Sequence, residues 1–205
     1  SLAHGTLYVN RNVDEDDSVE SYTGKIFESA MASLDQVHHS LDMSAINRAV
    51  DLLTQAKKIA FFGLGSSAAV AHDAMNKFFR FNVPVIYSDD IVLQRMSCMN
   101  CNDDDVVVII SHTGRTKSLV ELAQLAREND AMVIAITSPG TPLSREATLA
   151  ITLDVPEDTD IYMPMVSRLA QLTVIDVLAT GFTLRRGAKF RDNLKRVKEA
   201  LKESR

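Results

Sequence analysis

The sequence contains little of what secreted and membrane proteins contain. It has only two cysteines, Cys98 and Cys101, which cannot form a disulfide framework. No apolar run approaches the ~18 residues that a membrane span requires, and no basic flank precedes an apolar core as in a secretory signal. These absences predict a cytoplasmic protein with no membrane contact.

The chain also has no excess of positive charge. Its 22 Lys and Arg residues are outnumbered by 27 Asp and Glu, so the net charge is −5 at pH 7. This balance argues against binding nucleic acid through bulk charge, so any anion must be bound locally. With 46% hydrophobic residues, the 205-residue chain can bury a large core. Its length favours one domain with helical extensions.

The first segment is polar and ends in an acidic run at residues 14–17. Because these charges cannot bury themselves, we interpret residues 1–18 as a linker and residues 19–205 as the folded domain. The chain begins with Ser1 rather than a methionine, from which we expect a further domain before it. Apolar residues recur every three or four positions over residues 19–41 and predict a helix. A second helix is expected after an N-cap at Ser44.

From Lys58 onward, short apolar runs alternate with helical segments, which is typical of repeated βα units around a parallel sheet. The predicted strands are residues 58–62, 83–87, 105–110, 132–137 and 149–153. Continuous apolar runs suit strands that helices cover on both faces. We therefore predict an α/β fold: a three-layer, doubly wound, five-stranded parallel sheet in flavodoxin-like order, with extra N- and C-terminal helices.

Two further helices are expected after the sheet. Residues 165–184 are apolar almost all round, which predicts a centrally buried helix. The last helix carries an apolar stripe, and its other positions are mainly basic. The stripe is formed by Phe190, Leu194, Val197 and Leu201. This stripe can pack against the rest of the domain or contact another subunit.

Two loops could carry the chemistry, because each follows a predicted strand and opens a helix. The first is Gly63-Leu64-Gly65-Ser66-Ser67, and the second is Ser111-His112-Thr113-Gly114-Arg115-Thr116. Glycines allow close backbone approach, and hydroxyls and helix N-termini suit phosphate oxygens. In flavodoxin-like order the ligand lies beyond the carboxyl ends of the first and third strands, and each of the two loops follows one of these strands. A phosphate could bind there without a lysine or a metal.

Other interpretations of these loops were weighed. Glycines and serines between a strand and a helix often serve only as turn and cap residues. A dinucleotide-binding loop would have a third glycine where Ala68 stands, and no Walker sequence is present. Nucleotide binding is therefore disfavoured.

The two loops, with Ile-Thr-Ser at residues 136–138 and the segment 77–82, resemble the sugar isomerase (SIS) phosphosugar-binding domain over roughly residues 41–184. Asn82 departs from the usual glycine, although asparagine also tolerates a left-handed conformation. The resemblance implies phosphosugar binding, without a metal or other cofactor, by eight residues of the two loops: Gly65, Ser66, Ser67, Ser111, His112, Thr113, Gly114 and Thr116.

The leading helix and acidic segment further resemble the effector halves of RpiR-family bacterial transcription regulators. That resemblance implies a helix-turn-helix domain before this chain, through which alone DNA is bound, and a homo-oligomer formed through the first and last helices. It also implies a sugar-phosphate effector, expected to be 2-keto-3-deoxy-6-phosphogluconate, and no enzymatic activity. The alternative is an aldose-ketose isomerase, which needs a base such as His72, Glu146 or Glu157.

A few other residues invite a functional interpretation. Cys98 and Cys101 have the C-x-x-C spacing of metal and redox sites, but no second pair accompanies them. His38 and His39 point about 100° apart on a helix and are expected at the surface. His72 is expected to be packed or exposed rather than at the ligand. Arg168, within the predicted buried helix, needs an anionic partner, either Asp176 or a ligand carboxylate.

Overall fold

A parallel sheet lies at the centre of the computed structural model, which describes residues 13–155 and 166–204. Its five strands are β1 (Lys58–Gly63), β2 (Val85–Ser88), β3 (Asp105–Ser111), β4 (Met132–Thr137) and β5 (Leu149–Thr152). Their order is β2-β1-β3-β4-β5, and every pairing is parallel. The predicted flavodoxin-like order is confirmed.

The described helices are α1 (Val19–Ser40), α2 (Met43–Gln55), α3 (Ser66–Phe79), α4 (Ile91–Met99), α5 (Lys117–Glu128), α6 (Pro142–Glu146), α7 (Val166–Arg186) and α8 (Ala188–Lys202). They form two layers, one on each face of the sheet. Alternate residues of a strand therefore belong to different hydrophobic cores. Phe61 packs in the core with α2, α3 and α7, whereas its neighbour Phe62 packs in the core with α4, α5 and α6. Both phenylalanines are fully buried, as the continuous apolar runs predict.

Strand β2 begins two residues later than predicted. The carbonyl of Pro84 accepts a hydrogen bond from the Ile59 amide at 3.0 Å, but proline has no amide to donate back. Regular pairing therefore begins at Val85, which lies opposite Ile59. Just before this strand, Asn82 has a φ of 54°, so it adopts the left-handed conformation expected of it.

The start of the described chain packs against the first helix. Val13 is buried, and Lys25 forms ion pairs with Asp14 and Asp17 at 3.4 and 2.8 Å. The hydrogen bond from Lys25 lowers the pKa of Asp17. Residues 1–12, the remainder of the predicted linker, lie outside the described residues.

The second helix is capped by Asp42, so the predicted N-cap at Ser44 is wrong. The Asp42 carboxylate accepts a hydrogen bond from the Ser44 amide at 2.9 Å. Both residues are good caps, and the apolar stripe alone does not decide between positions two residues apart.

Helix α7 is not buried all round, which corrects the expectation for residues 165–184. One side is buried through Ala170, Val174, Ile175, Leu178 and Phe182. The other side is exposed and carries Leu169, Val177 and Leu184. Among the described residues, no helix combines the length and apolar character needed to cross a membrane.

Candidate functional site

The two loops lie side by side at the carboxyl edge of the sheet. Strand β1 leads through Gly65 into α3, and the adjacent strand β3 leads through residues 112–116 into α5. Gly63 lies opposite Ile110, so both strands end at the same level. The structure thus brings the loops together at the point where the strand order reverses, as the sequence predicts.

The first loop needs both of its glycines. A Cβ atom on Gly63 would lie 2.7 Å from the Ser67 carbonyl oxygen, and Gly65 has a φ of 59°. This backbone places Ser66 and Ser67 in the first turn of α3. Ser67 is buried and Ser66 is half-buried. The N-terminal end of the helix dipole, which attracts anions, therefore faces this loop.

In the second loop, the hydroxyls accept hydrogen bonds from the loop backbone. The Gly114 amide donates to Ser111 Oγ at 3.1 Å, and the Arg115 amide donates to Thr113 Oγ1 at 3.3 Å. A hydroxyl that accepts one hydrogen bond still has its proton to donate. Ser111 is buried and Thr113 half-buried at this edge, so the loop can present oriented O–H donors to an anion.

The helices that follow the two loops begin without a side-chain cap, as α8 also does, whereas four other helices have one. In α1, α2, α4 and α6 a side chain of the N-cap residue accepts a hydrogen bond from the first turn. Gly65 at α3 and Thr116 at α5 form no such bond. Thr116 is exposed, and its hydroxyl is not engaged as a cap. The cap interpretation therefore does not explain Thr116.

A third loop, after β4, supports the second. The carbonyl of His112 accepts hydrogen bonds from the amide and hydroxyl of Ser138 at 3.2 and 2.5 Å. The carbonyl of Gly114 accepts one from the Leu143 amide at 3.0 Å. Gly114 has a φ of 61°, and a Cβ there would lie 2.3 Å from Thr141 Oγ1. Only glycine fits this close approach.

Helix α7 contributes two residues that the sequence did not indicate. Ser167 and Gln171 are both buried, and the Gln171 amide contacts Ser67 Oγ at 3.4–3.5 Å. A glutamine within an apolar helix could have been noted as a candidate. Its contact with Ser67 could not have been predicted, because the two residues are 104 positions apart.

Several other sequence candidates are exposed on the surface. His72 is exposed and its ring packs against Tyr87 at 4.8 Å, in line with the expectation. His38 and His39 are also exposed, as expected. Arg168 is exposed rather than buried, so the expected buried ion pair is wrong.

Asp176, the suggested partner of Arg168, pairs with Lys77 instead. Glu157 lies outside the described residues.

The surroundings of the two cysteines indicate a structural role. Both are buried, and Cys101 Sγ donates a hydrogen bond to the Cys98 carbonyl at 2.9 Å. Burial raises the pKa of Cys98 to about 12. The part of the chain that the structure describes holds no group of three or more His, Cys, Asp or Glu residues that could bind a metal.

The geometry agrees with one protein family. The SIS domain family matches residues 52–181, which contain both loops and the whole sheet. This confirms the resemblance found in the sequence. The chain therefore belongs to the SIS domain family.

Two relatives place the chain more narrowly within that family. It is 93% identical over all 205 residues to the HTH-type transcriptional regulator HexR of Escherichia coli, of which it spans 71%. It is 56% identical over 201 residues, 98% of its length, to the same-named regulator of Pseudomonas aeruginosa, of which it spans 70%. The chain is thus that of an RpiR-family regulator similar to HexR, and these relatives are named as regulators rather than enzymes.

Solved structures support the fold. The Vibrio vulnificus NanR protein, in complex with ManNAc-6P, matches with a TM-score of 0.84 at 24% identity, over 91% of this chain and 71% of that one. The sugar isomerase domain of an RpiR transcription factor from Sphaerobacter thermophilus matches with a TM-score of 0.76 at 18% identity, over 86% and 98%.

Proposed function

We propose that this chain is the effector-binding part of a bacterial regulator of sugar catabolism, and that its effector is a phosphorylated sugar acid, 2-keto-3-deoxy-6-phosphogluconate. The observation that carries the proposal is the set of hydroxyl donors gathered at the strand-order reversal. The phosphate is bound by the hydroxyls and backbone of the two loops, through Gly65, Ser66, Ser67, Ser111, His112, Thr113, Gly114 and Thr116.

The charge of the site fits a phosphate bound by oriented groups rather than by a lysine. Each charge-assisted hydrogen bond contributes roughly 1.5–3 kcal/mol net. Ser111 and Thr113 accept backbone hydrogen bonds and keep their protons for the ligand. The N-termini of α3 and α5 add favourable partial positive charge on the same edge of the sheet.

The remainder of the regulator follows from the family resemblance. Residues 1–18 form a linker to a helix-turn-helix domain, which alone contacts DNA. The chain associates as a dimer or larger oligomer through α1 and α8. In support, α1 exposes Phe27 and Met31, and α8 exposes Val197 and Leu201. Exposed apolar side chains at helical spacing are a common feature of subunit contacts.

Helix α7 offers a path from the effector to the subunit arrangement. Its buried side contacts Ser67 through Gln171, and α7 also packs against α1 and α8, the two helices of the proposed subunit contact. A ligand that displaces the contact between Ser67 and Gln171 removes an interaction that holds α7 in its present place. The free energy of this placement of the helix then changes relative to that of an alternative placement. Only such a difference between two arrangements can transmit a binding event.

The test is isothermal titration of the chain with a panel of sugar phosphates that includes 2-keto-3-deoxy-6-phosphogluconate, followed by product analysis. Saturable binding with the ligand recovered unchanged would support a sensor. Conversion of the ligand to an isomer would contradict it and favour the enzyme, and an absence of binding across the panel would refute the phosphate site.

Two substitutions assign that binding to the loops. Ser67→Ala and Ser111→Ala should each raise Kd about 10- to 100-fold, the cost of one charge-assisted hydrogen bond. The melting temperature should stay within a few degrees of the unsubstituted chain. Ser40→Ala, at the exposed end of α1, is the matched control and should change neither quantity. A large loss of stability without a change in Kd would support the turn-and-cap interpretation.

A further inference from the structure

A groove with a volume of about 390 Å³ lies between the last helix, α8, and the residues that follow α3. Its floor is apolar and is formed by Phe81, Leu194, Val197 and Leu201. Phe81 is buried, whereas Val197 and Leu201 are 37% and 51% exposed. The groove therefore leaves contiguous apolar surface of α8 open to solvent, which is typical of an interaction surface.

Four basic side chains border this floor: Arg80, Lys195, Lys198 and Lys202. All four are exposed, and none of them forms an ion pair within the described part of the chain. None of the described residues that line the groove is acidic. In a chain with a net charge of −5, the groove is thus a local excess of positive charge. It should attract an occupant that carries acidic groups beside an apolar surface.

The first helix, α1, carries a surface of that composition. Phe27 and Met31 are 66% and 61% exposed and lie about one helical turn apart. Three acidic residues occupy exposed positions of the same helix, namely Glu20, Glu28 and Asp35. At 100° per residue, all three lie within about 60° of Met31 around the helix axis. Apolar and acidic side chains therefore share one exposed face of α1.

The two surfaces also match in their dimensions. Phe27 and Met31 are four residues apart, as are Val197 and Leu201, so each pair spans about 6 Å along its helix. Ridges formed by residues four apart pack into one another where two helices cross. A charged residue directly follows the first member of each pair, Glu28 on α1 and Lys198 on α8. Antiparallel packing of the two helices puts these opposite charges on the same flank.

We propose that α1 of a second copy of this chain occupies the groove, with Phe27 and Met31 against the apolar floor and Glu28 beside Lys198. This inference rests on the oligomer of the proposed function and adds which two surfaces meet. Both α1 and α8 pack against α7, in the core on one face of the sheet. A two-fold axis then lets each copy place its α1 in the groove of the other, so that the contact forms twice. A nucleic acid would engage only the basic residues and would leave the apolar floor exposed.

Charge reversal tests this pairing. Glu28→Lys and Lys198→Glu each bring like charges together twice in a dimer, and each should raise the dimer dissociation constant about tenfold. Analytical ultracentrifugation at low salt measures this constant where surface charges are least screened. The double variant should return to within about threefold of the unsubstituted chain, because its charges are opposite again. Each variant should melt within a few degrees of the unsubstituted chain, since both positions are exposed.

Mixing the two single variants separates a contact between copies from a contact within one chain. In a mixed dimer both contacts join opposite charges, so an equimolar mixture should associate about as tightly as the unsubstituted chain. A pairing within one chain would be restored in the double variant but not by mixing. Glu128→Lys and Lys189→Glu are the matched controls, because both residues are exposed and neither lines the groove. Neither control should change association.

Two results would overturn the inference and leave effector binding in place. One is a dimer that neither single variant weakens, and the other is a loss of association that mixing does not restore. A chain that stays monomeric at every concentration would refute the inference together with the proposed oligomer. The phosphate site would not be affected by that result, because titration with sugar phosphates tests it separately.

Discussion

Replacing Gly114 by alanine tests the packing of the second loop against the third. Gly114 has a φ of 61°, in the left-handed region that residues with a Cβ rarely adopt. The added Cβ would lie 2.3 Å from Thr141 Oγ1 and 2.5 Å from Thr137 Oγ1. Thr141 is held in the capping box of α6, so it cannot move aside without loss of that cap.

The expected loss of stability has two parts. The left-handed conformation costs a residue with a Cβ roughly 1–2 kcal/mol, and overpacking of a tight site costs typically about 1–3 kcal/mol. Gly114→Ala should therefore lower the free energy of unfolding by about 2–5 kcal/mol. For a chain of this size, each kcal/mol corresponds to roughly 2–4 °C in Tm.

Gly140→Ala is the matched control. Gly140 also has a positive φ, 69°, but apart from its own chain neighbours no residue has an atom within 4 Å of the position that its Cβ would take. It should lose only the conformational part, about 1–2 kcal/mol. Urea denaturation of both variants and of the unsubstituted chain measures the difference. Equal losses in the two variants would refute the close contact between the loops.

Three further predictions follow from buried and exposed groups. Because burial raises the pKa of Cys98 and of Cys101, both thiols should react slowly with a disulfide reagent at pH 8 in the folded chain and rapidly after denaturation; rapid reaction of the folded chain would contradict this. Gln94 is fully buried and donates hydrogen bonds to the carbonyls of Gly63 and Ser88 at 3.1 and 2.9 Å. Gln94→Met should therefore lower the free energy of unfolding, measured by urea denaturation, by about 1–3 kcal/mol. The same change at the exposed Gln124 should lower it little. Phe27→Glu on α1 should lower the oligomeric state in analytical ultracentrifugation, and Leu93→Glu on α4, similarly exposed, should not; the reverse result would move the proposed subunit contact to α4.

The fold could be predicted because its signals are local. Short apolar runs bounded by polar or glycine residues predicted all five strands, and the strand order predicted that the two loops lie together at the β1/β3 edge, where the structure has them. The error at β2 also has a local cause. Val83 is apolar and buried like a strand residue, but the missing amide of Pro84 delays regular pairing to Val85.

The errors in α7 arose because composition does not show which side of a helix is covered. Leu169, Val177 and Leu184 are as apolar as the residues that pack on the sheet, yet they face away from it. Arg168 lies on that exposed side, so it needs no buried partner. The contact of Gln171 with Ser67 could not be predicted either, since it joins residues on different elements 104 positions apart.

An acidic chain can bind an anion when its fold holds hydrogen-bond donors in the right orientation, so that no excess of positively charged side chains is needed. In the second loop the orientation of Ser111 and Thr113 depends on the amides of Gly114 and Arg115. The position of those amides depends in turn on the left-handed backbone at Gly114. A substitution that distorts this backbone removes several donors together, whereas loss of one hydroxyl removes one. Affinity at this site should therefore respond more to loop geometry than to any single side chain, which is why Gly114→Ala, where it folds, should weaken binding more than Ser111→Ala.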